Sequence, residues 1–265
     1  MESVARAAGM ALDNARLQAE LRARQRDVEE HVVRLDQARS VEQSLSRLVP
    51  GGLAERLRTD PGLLSRTARL TLTVLMSDVR GYSGIAERTE PTALAQQLNE
   101  HRRAMNEVVL REGGTVMQYV GDAVLAVFGA PDPQPDHAVR ALRAARGMQE
   151  AQQRLDTQWT ARGLEPFGLG IGVCTGEVAA AFLGSEERLE YTVVGDTVNL
   201  AARLCDLARP AGSTVASAAT VAATGGLWHT QPLAAIHVKG RMAMVSAHRI
   251  DRGAVDNSVP ASTPE

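Results

Sequence analysis

Two hydrophobic periods alternate along this chain. Residues 70–78 form a short apolar run rich in branched side chains, Leu70-Thr71-Leu72-Thr73-Val74-Leu75-Met76-Ser77-Asp78, which predicts a strand. Over 91–112 the apolar positions Ala95, Leu98, Met105, Val108 and Val109 fall on one helical stripe. Strand-like runs follow at 115–120 and 123–129, joined by Gly121-Asp122, a dipeptide suited to a tight hairpin. Val139, Leu142, Ala145, Met148 and Leu155 stripe a second helix over 136–162, and a strand is expected at 167–175. Further strands are expected at 177–183 and 189–194, then a helix from about Thr197 to Leu207. A last αβ segment ends at Ile250.

The order β-α-β-β-α-β is that of the ferredoxin-like, split βαβ arrangement, so the fold class is α+β with an extra C-terminal αβ segment. Ahead of it, residues 1–48 are rich in Ala, Arg, Glu, Gln and Leu, with a single Gly and no Pro, which is helix composition. Leu21, Val28 and Leu35 recur every seven residues and Val32 takes the neighbouring seam position, but Gln25 and Arg39 interrupt it. A short coiled coil and a solvated helix both satisfy that pattern. Pro50-Gly51-Gly52 ends the leader, Leu53 to Arg58 reads as a short helix, and Pro61-Gly62 closes it. The expected domains are a leading helix at 1–48, a linking element at 49–68, a folded domain at 69–250 and a disordered tail at 251–265.

Composition narrows the partners. The chain has 265 residues, 44% hydrophobic, enough for one core and an appendage. With 29 basic and 31 acidic residues the net charge is −2, which gives no field for nucleic acid or an anionic membrane. Aromatics at 3% offer little platform for stacked bases. Cys174 and Cys205 make no disulfide framework and read as small buried hydrophobes, in keeping with a reducing cytoplasm. No run approaches the ~20 apolar residues that span a bilayer, and the start lacks a secretory pattern, so a cytoplasmic protein without membrane contact is expected.

Chemistry concentrates in two aspartates. Asp78 ends the first strand and Asp122 sits in the hairpin turn, so each carboxylate leaves the sheet where a strand stops. Such a pair suits hard divalent cations and, with two of them, in-line phosphoryl chemistry. Val79-Arg80-Gly81-Tyr82-Ser83-Gly84 follows as a turn whose N–H groups can cradle phosphate oxygens. The plainer alternatives are a helix cap at Asp78 and an ordinary turn at Asp122. Asn199 and Arg203, four apart on the expected helix, share a face and can orient a ribose and meet phosphate charge; a solvated polar face would look the same. Leu200 and Leu204 would face the core, and Asp196 would cap the helix.

Together SDVRGYS at 77–83, GGTVMQYVGDAVLAVFG at 113–129, EYTVVGDTVNLAARL at 190–204 and Val238-Lys239-Gly240 resemble the class III nucleotidyl cyclase catalytic domain over 70–250. The resemblance implies that Asp78 and Asp122, with Val79 beside the first, hold two Mg²⁺ or Mn²⁺ ions. It implies that Asn199 orients the ribose, Arg203 stabilises the transition state, Lys239 contacts the triphosphate, and Gly81 and Tyr82 adjoin the substrate. Family sites form between two catalytic domains, so a chain bearing both sets implies a homodimer with two interfacial sites. The leader is similar to bacterial signalling helices, and Ala11-Leu12-Asp13-Asn14-Ala15-Arg16-Leu17 resembles the closing helix of GAF sensor modules, which implies an upstream sensor domain.

Two positions depart from the family pattern. Gln118 stands where adenylyl cyclases carry a base-reading lysine, whereas its partner position, Thr192, fits; the Glu and Cys of guanylyl cyclases are absent. A Gln amide both donates and accepts, so it can read adenine or guanine. Tyr82 replaces a common Phe. The expected reaction is conversion of a nucleoside triphosphate, ATP first, into its 3′,5′-cyclic monophosphate and pyrophosphate. The alternatives are GTP, a pyrimidine triphosphate or relaxed choice, and a degenerate domain that binds nucleotide without turnover. A diguanylate cyclase is disfavoured because its GG[DE]EF hairpin is missing.

Overall fold

The computed structural model describes residues 53–185, 189–234 and 244–251, together with Arg24 and Val32. The chain divides into units of residues 1–49 and 50–265. The expected coiled coil, the tail expected to be disordered, beyond Asp251, and Lys239 lie outside the described residues.

A short helix α1 (Leu53–Thr59) and a 3₁₀ turn (Pro61–Ser65) lead into β1 (Ala68–Arg80). Then follow α2 (Tyr82–Arg88), α3 (Pro91–Arg111), β2 (Thr115–Val120), β3 (Ala123–Phe128), α4 (His137–Ala161) and β4 (Gly168–Gly184). β5 (Leu189–Val194), α5 (Asp196–Leu207), β6 (Thr214–Ser217), α6 (Ala218–Ala223), β7 (Thr230–Pro232) and β8 (Ala247–Ile250) complete it. The strands form one sheet in the order β2-β3-β1-β4-β6-β8-β7, with β5 beside β4. β1 is antiparallel to both β3 and β4, and β4 runs parallel to β6. The first four strands thus give the ferredoxin-like core expected from the element order.

One face of the sheet carries the main core. Leu75, Val124, Ala126, Phe128, Ile171 and Val173 meet Met105, Val108 and Val109 of α3 and Leu142, Ala145 and Met148 of α4. Ala95, expected in the α3 stripe, is exposed, whereas Gln97 and His101 are buried. Polar partners make that arrangement affordable: His101 Nδ1 donates to Gln152 Oε1 at 2.6 Å, and Gln97 donates to the Glu165 carbonyl at 3.0 Å. A smaller cluster of Val79, Ile85, Trp159 and Phe167 sits behind the β1–α2 turn.

The opposite face receives α5. Its buried side, Thr197, Leu200, Ala201, Leu204 and Cys205, includes both leucines expected to face the core. β4 presents Gly168, Gly170, Gly172 and Gly176 at alternating positions. A Cβ at Gly176 would lie 2.6 Å from Thr197 Oγ1, and one at Gly172 would overlap the α5 backbone at Ala201 and Cys205. The two strands expected at 167–175 and 177–183 are therefore one strand of 17 residues, its glycines serving close helix packing instead of a break.

Candidate active site

β1 runs on to Arg80, two residues past the end expected at Asp78, so Asp78 lies one residue beyond the last pair with β3 while still paired with β4. Its in-register neighbour on β4 is Gly170, and Ser77 pairs with Val124 of β3. The β2–β3 hairpin closes through Val120 opposite Ala123, with Gly121 at φ 61°, so Asp122 occupies the second turn position. Two aspartates 44 residues apart in sequence are thereby brought to one rim. The Val79 N–H donates to Asp122 Oδ2 at 3.1 Å, which fixes the hairpin against the β1 end. Arg102 of α3 pins the hairpin from outside, donating to the Gly121 carbonyl at 2.5 Å with its guanidinium 5.0 Å from the Tyr119 ring centre.

The electrostatics follow from that approach. The Asp78 carboxyl is pushed up to about 6, first by partial burial and then by the facing Asp122; Arg80, donating to Asp78 Oδ2 at 3.0 Å, offsets this only in part. Asp206 at the end of α5 adds to the rise. Asp78 caps no helix: the α2 N-cap is Gly81, at φ 74° and without a side-chain cap. Among the described residues no group of three or more His, Cys, Asp or Glu side chains is gathered. The candidate cation site is a two-carboxylate site, and its donors are the hard oxygens that Mg²⁺ and Mn²⁺ prefer. A half-buried Asp78 carboxyl faced by a second carboxylate fits a cation, whose charge offsets the repulsion between them.

The other expected residues stand as follows. Gly81 leaves open space where a Cβ would be, so ligand atoms can approach its backbone. Tyr82 begins α2, and its ring meets Phe167 edge-on with centroids 6.2 Å apart. Gln118 is an exposed residue of β2 opposite Leu125, beside a register shift, and Thr192 is a half-buried residue of β5 opposite Ala181. Strands β2 and β5 touch each other. Asn199 and Arg203 both lie on the exposed side of α5, where Arg203 approaches Asp206 at 3.7 Å. Asp196 is the first helical residue instead of the cap, which is Gly195, so its charge meets the α5 N-terminus from within the first turn. Cys205 and Cys174 are buried, and burial pushes the Cys205 thiol up to about 12, which leaves it inert.

Residues 66–250 match the family model described as the adenylate and guanylate cyclase catalytic domain. The chain belongs to that family. Adenylate cyclase 1 of Rhizobium meliloti (strain 1021) is 32% identical over 183 residues, covering 69% of this chain and 28% of that protein. The adenylate cyclase of Anabaena cylindrica is 32% identical over 148 residues, 54% of this chain and again 28% of its own length. The chain thus spans under a third of these curated relatives. Among solved structures, the guanylyl cyclase Cya2 superposes with a TM-score of 0.68 at 34% identity, covering 72% of this chain and 95% of that one. The adenylyl cyclase CyaB from P. aeruginosa gives 0.68 at 32% identity, covering 70% and 96%. Cyclase domains named for either purine are therefore similar to this one. No helix among the described residues is long and apolar enough to cross a membrane.

Reading the residues by type alone passed over Arg80 and Arg102, which touch the aspartate rim without being its ligands. Arg80 was expected in the turn after Asp78, whereas β1 runs through it and sets the two side chains, two residues apart, on one face.

Proposed function

We propose that this cyclase domain converts a nucleoside triphosphate, ATP in the first instance, into its 3′,5′-cyclic monophosphate and pyrophosphate, and that it does so as a homodimer. The observation that carries the reading is the rim where Asp122 accepts from the Val79 N–H and faces Asp78, whose carboxyl burial first and Asp122 second push up to about 6. Asp78 and Asp122 would hold divalent cations, with Val79 fixed between them. Bound there, such ions would acidify the ribose 3′-hydroxyl and neutralise the departing pyrophosphate. Asn199 would hold the ribose so that the 3′-oxygen lies in line with the α-phosphorus, and Arg203 would bond the oxygens on which charge grows. Gly81, with no side chain over its backbone, would let phosphate oxygens approach the β1–α2 turn, and Lys239 would meet the triphosphate from the partner side.

Base choice would fall to Gln118 and Thr192, carried on touching strands. Neither bears a charge, and both donate and accept, so ATP is favoured by the named relatives more than by these side chains. GTP is the second reading, favoured by the likeness to Cya2.

Complementation between chains tests the proposal directly. Asp78→Ala and Arg203→Ala chains, each inactive alone, should regain roughly a quarter of wild-type turnover when refolded together. Half the dimers would then be mixed, each with one intact site. Products formed from each triphosphate with Mn²⁺ are identified by mass. A mixture as inactive as its components, with dimers present, would refute the shared site.

A further inference from the structure

Arg80 touches both the candidate metal carboxylate and the helix that bears Asn199 and Arg203. Its Nη1 donates to Asp78 Oδ2 at 3.0 Å, and its Nη2 donates to the Cys205 carbonyl oxygen near the end of α5. The same nitrogen lies 3.4 Å from the Cys205 sulfur. The side chain is 9% exposed, so this is a seated guanidinium and not a surface charge. Its seat is made by glycine: a Cβ at Gly170, the in-register neighbour of Asp78, would overlap the guanidinium nitrogens.

The contact is well suited to the helix end. The Cys205 carbonyl also accepts from the Ala208 N–H at 2.9 Å, and a cation beside the last carbonyls of a helix meets the negative end of its dipole. The next residue, Asp206, bears on the charge of Asp78 and approaches Arg203 at 3.7 Å. Asp78, Arg80, the α5 C-terminus and Arg203 therefore form a continuous series within one chain. On the reading proposed above, on which this inference rests, Asp78 serves one site of the dimer and Arg203 the other.

We propose that Arg80 is a positioning residue that couples the two sites, tying the Asp78 carboxylate of one to the helix that presents Asn199 and Arg203 to the other. Drawing Asp78 Oδ2 toward a cation takes that acceptor from Nη1. Arg80, walled in by the Gly170 backbone, re-seats with the end of α5 and carries the helix with it. The linkage is reciprocal, so substrate held by Asn199 and Arg203 alters cation affinity at the Asp78 of the same chain.

Amide hydrogen exchange over residues 197–207 of the full chain, with and without Mn²⁺ and with no nucleotide, reads this coupling. Mn²⁺ should change wild-type α5 exchange by about threefold or more, a local-opening effect. The change should vanish in Arg80→Lys, whose single ammonium cannot fork to both acceptors, and in Gly170→Ala, which displaces the guanidinium without altering its charge. Both variants should still bind Mn²⁺, as measured by water proton relaxation. The proposal is overturned by a wild-type α5 indifferent to Mn²⁺, by a response that persists in both variants, or by variants that no longer bind Mn²⁺. Turnover measured in parallel keeps the two readings apart. Cyclic product from a protein whose α5 ignores Mn²⁺ removes the coupling alone. A responsive α5 without cyclic product removes the cyclase reading alone.

Discussion

At Asp78 a single carboxyl links stability to cation binding. Its folded value of about 6 lies above its ordinary 3.8, so the folded state holds the proton more tightly. Between those two values the folded chain binds more protons than the unfolded one, and stability falls as pH rises through the window. With the side chain 38% exposed, solvent screening reduces the effect to about 1–2 kcal/mol. Relative to Asp78→Asn, metal-free wild-type protein should therefore lose melting temperature as pH rises from about 4 to 7, because His101 and His137, held by burial below the usual imidazole range, act with the opposite sign but alike in both proteins. Adding Mn²⁺ should raise the wild-type melting temperature at about pH 7.5, leave it unchanged at about pH 5, and do nothing to Asp78→Asn. A pH profile in Asp78→Asn identical to that of the wild type would assign the titration to another group. The carboxylate itself was legible, because it ends an apolar run; its companions were not. Arg80 and Arg102 act through folding contacts with Cys205 and Gly121, and no spacing rule links residue 80 to 205.

Among the elements, β4 and α5 show both what the residue pattern reveals and what it hides. The helix was legible from Leu200 and Leu204, which are buried, and Asn199 and Arg203, which are exposed. The strand was misread as two, since Gly176 looks like punctuation when its environment is unknown. In the fold its missing side chain is what admits Thr197, whose hydroxyl donates to the Glu177 carbonyl at 2.7 Å. Gly172 is the sharper case. Backbone of α5 lies where its Cβ would be, and backbone cannot turn aside as a flexible side chain can. Gly172→Ala should cost about 3 kcal/mol or more in chemical denaturation, an overpacking penalty at the upper end of its range. Gly81→Ala meets no atom within 4 Å and bears only the strain of its positive φ, so about 1 kcal/mol is expected. Equal losses at the two positions would show that α5 is not seated on the glycine track. On α3 the apolar stripe misplaced Ala95 for a similar reason, as hydrogen-bonded Gln97 and His101 take positions that a purely hydrophobic reading reserves for carbon.

For the whole molecule, the informative surface lies on the strands that leave the core. Tyr119 and Val120 end β2 beside the Asp122 turn, and Leu183, Leu189 and Val194 line the β4–β5 hairpin. All five are exposed large hydrophobics, while β2 and β5 touch. Scattered single apolar residues need no explanation, but a group on three neighbouring strands beside a candidate site marks an interaction surface. A second copy of this chain is the occupant that the proposed chemistry requires, since exposed Asn199 and Arg203 must reach an aspartate rim. Val120→Glu or Leu183→Glu places a charge in that surface without disturbing a buried side chain, as Val120 is 54% and Leu183 45% exposed. Either should leave the fold intact by circular dichroism, shift the protein to monomer in light scattering, and lower turnover by about a hundredfold. That loss corresponds to about 3 kcal/mol of transition-state stabilisation removed with the partner's guanidinium. Raising protein concentration should recover part of the rate, because association and not chemistry has been weakened. Full turnover from a monomeric variant would place both residue sets within one chain's reach and remove the need for a partner.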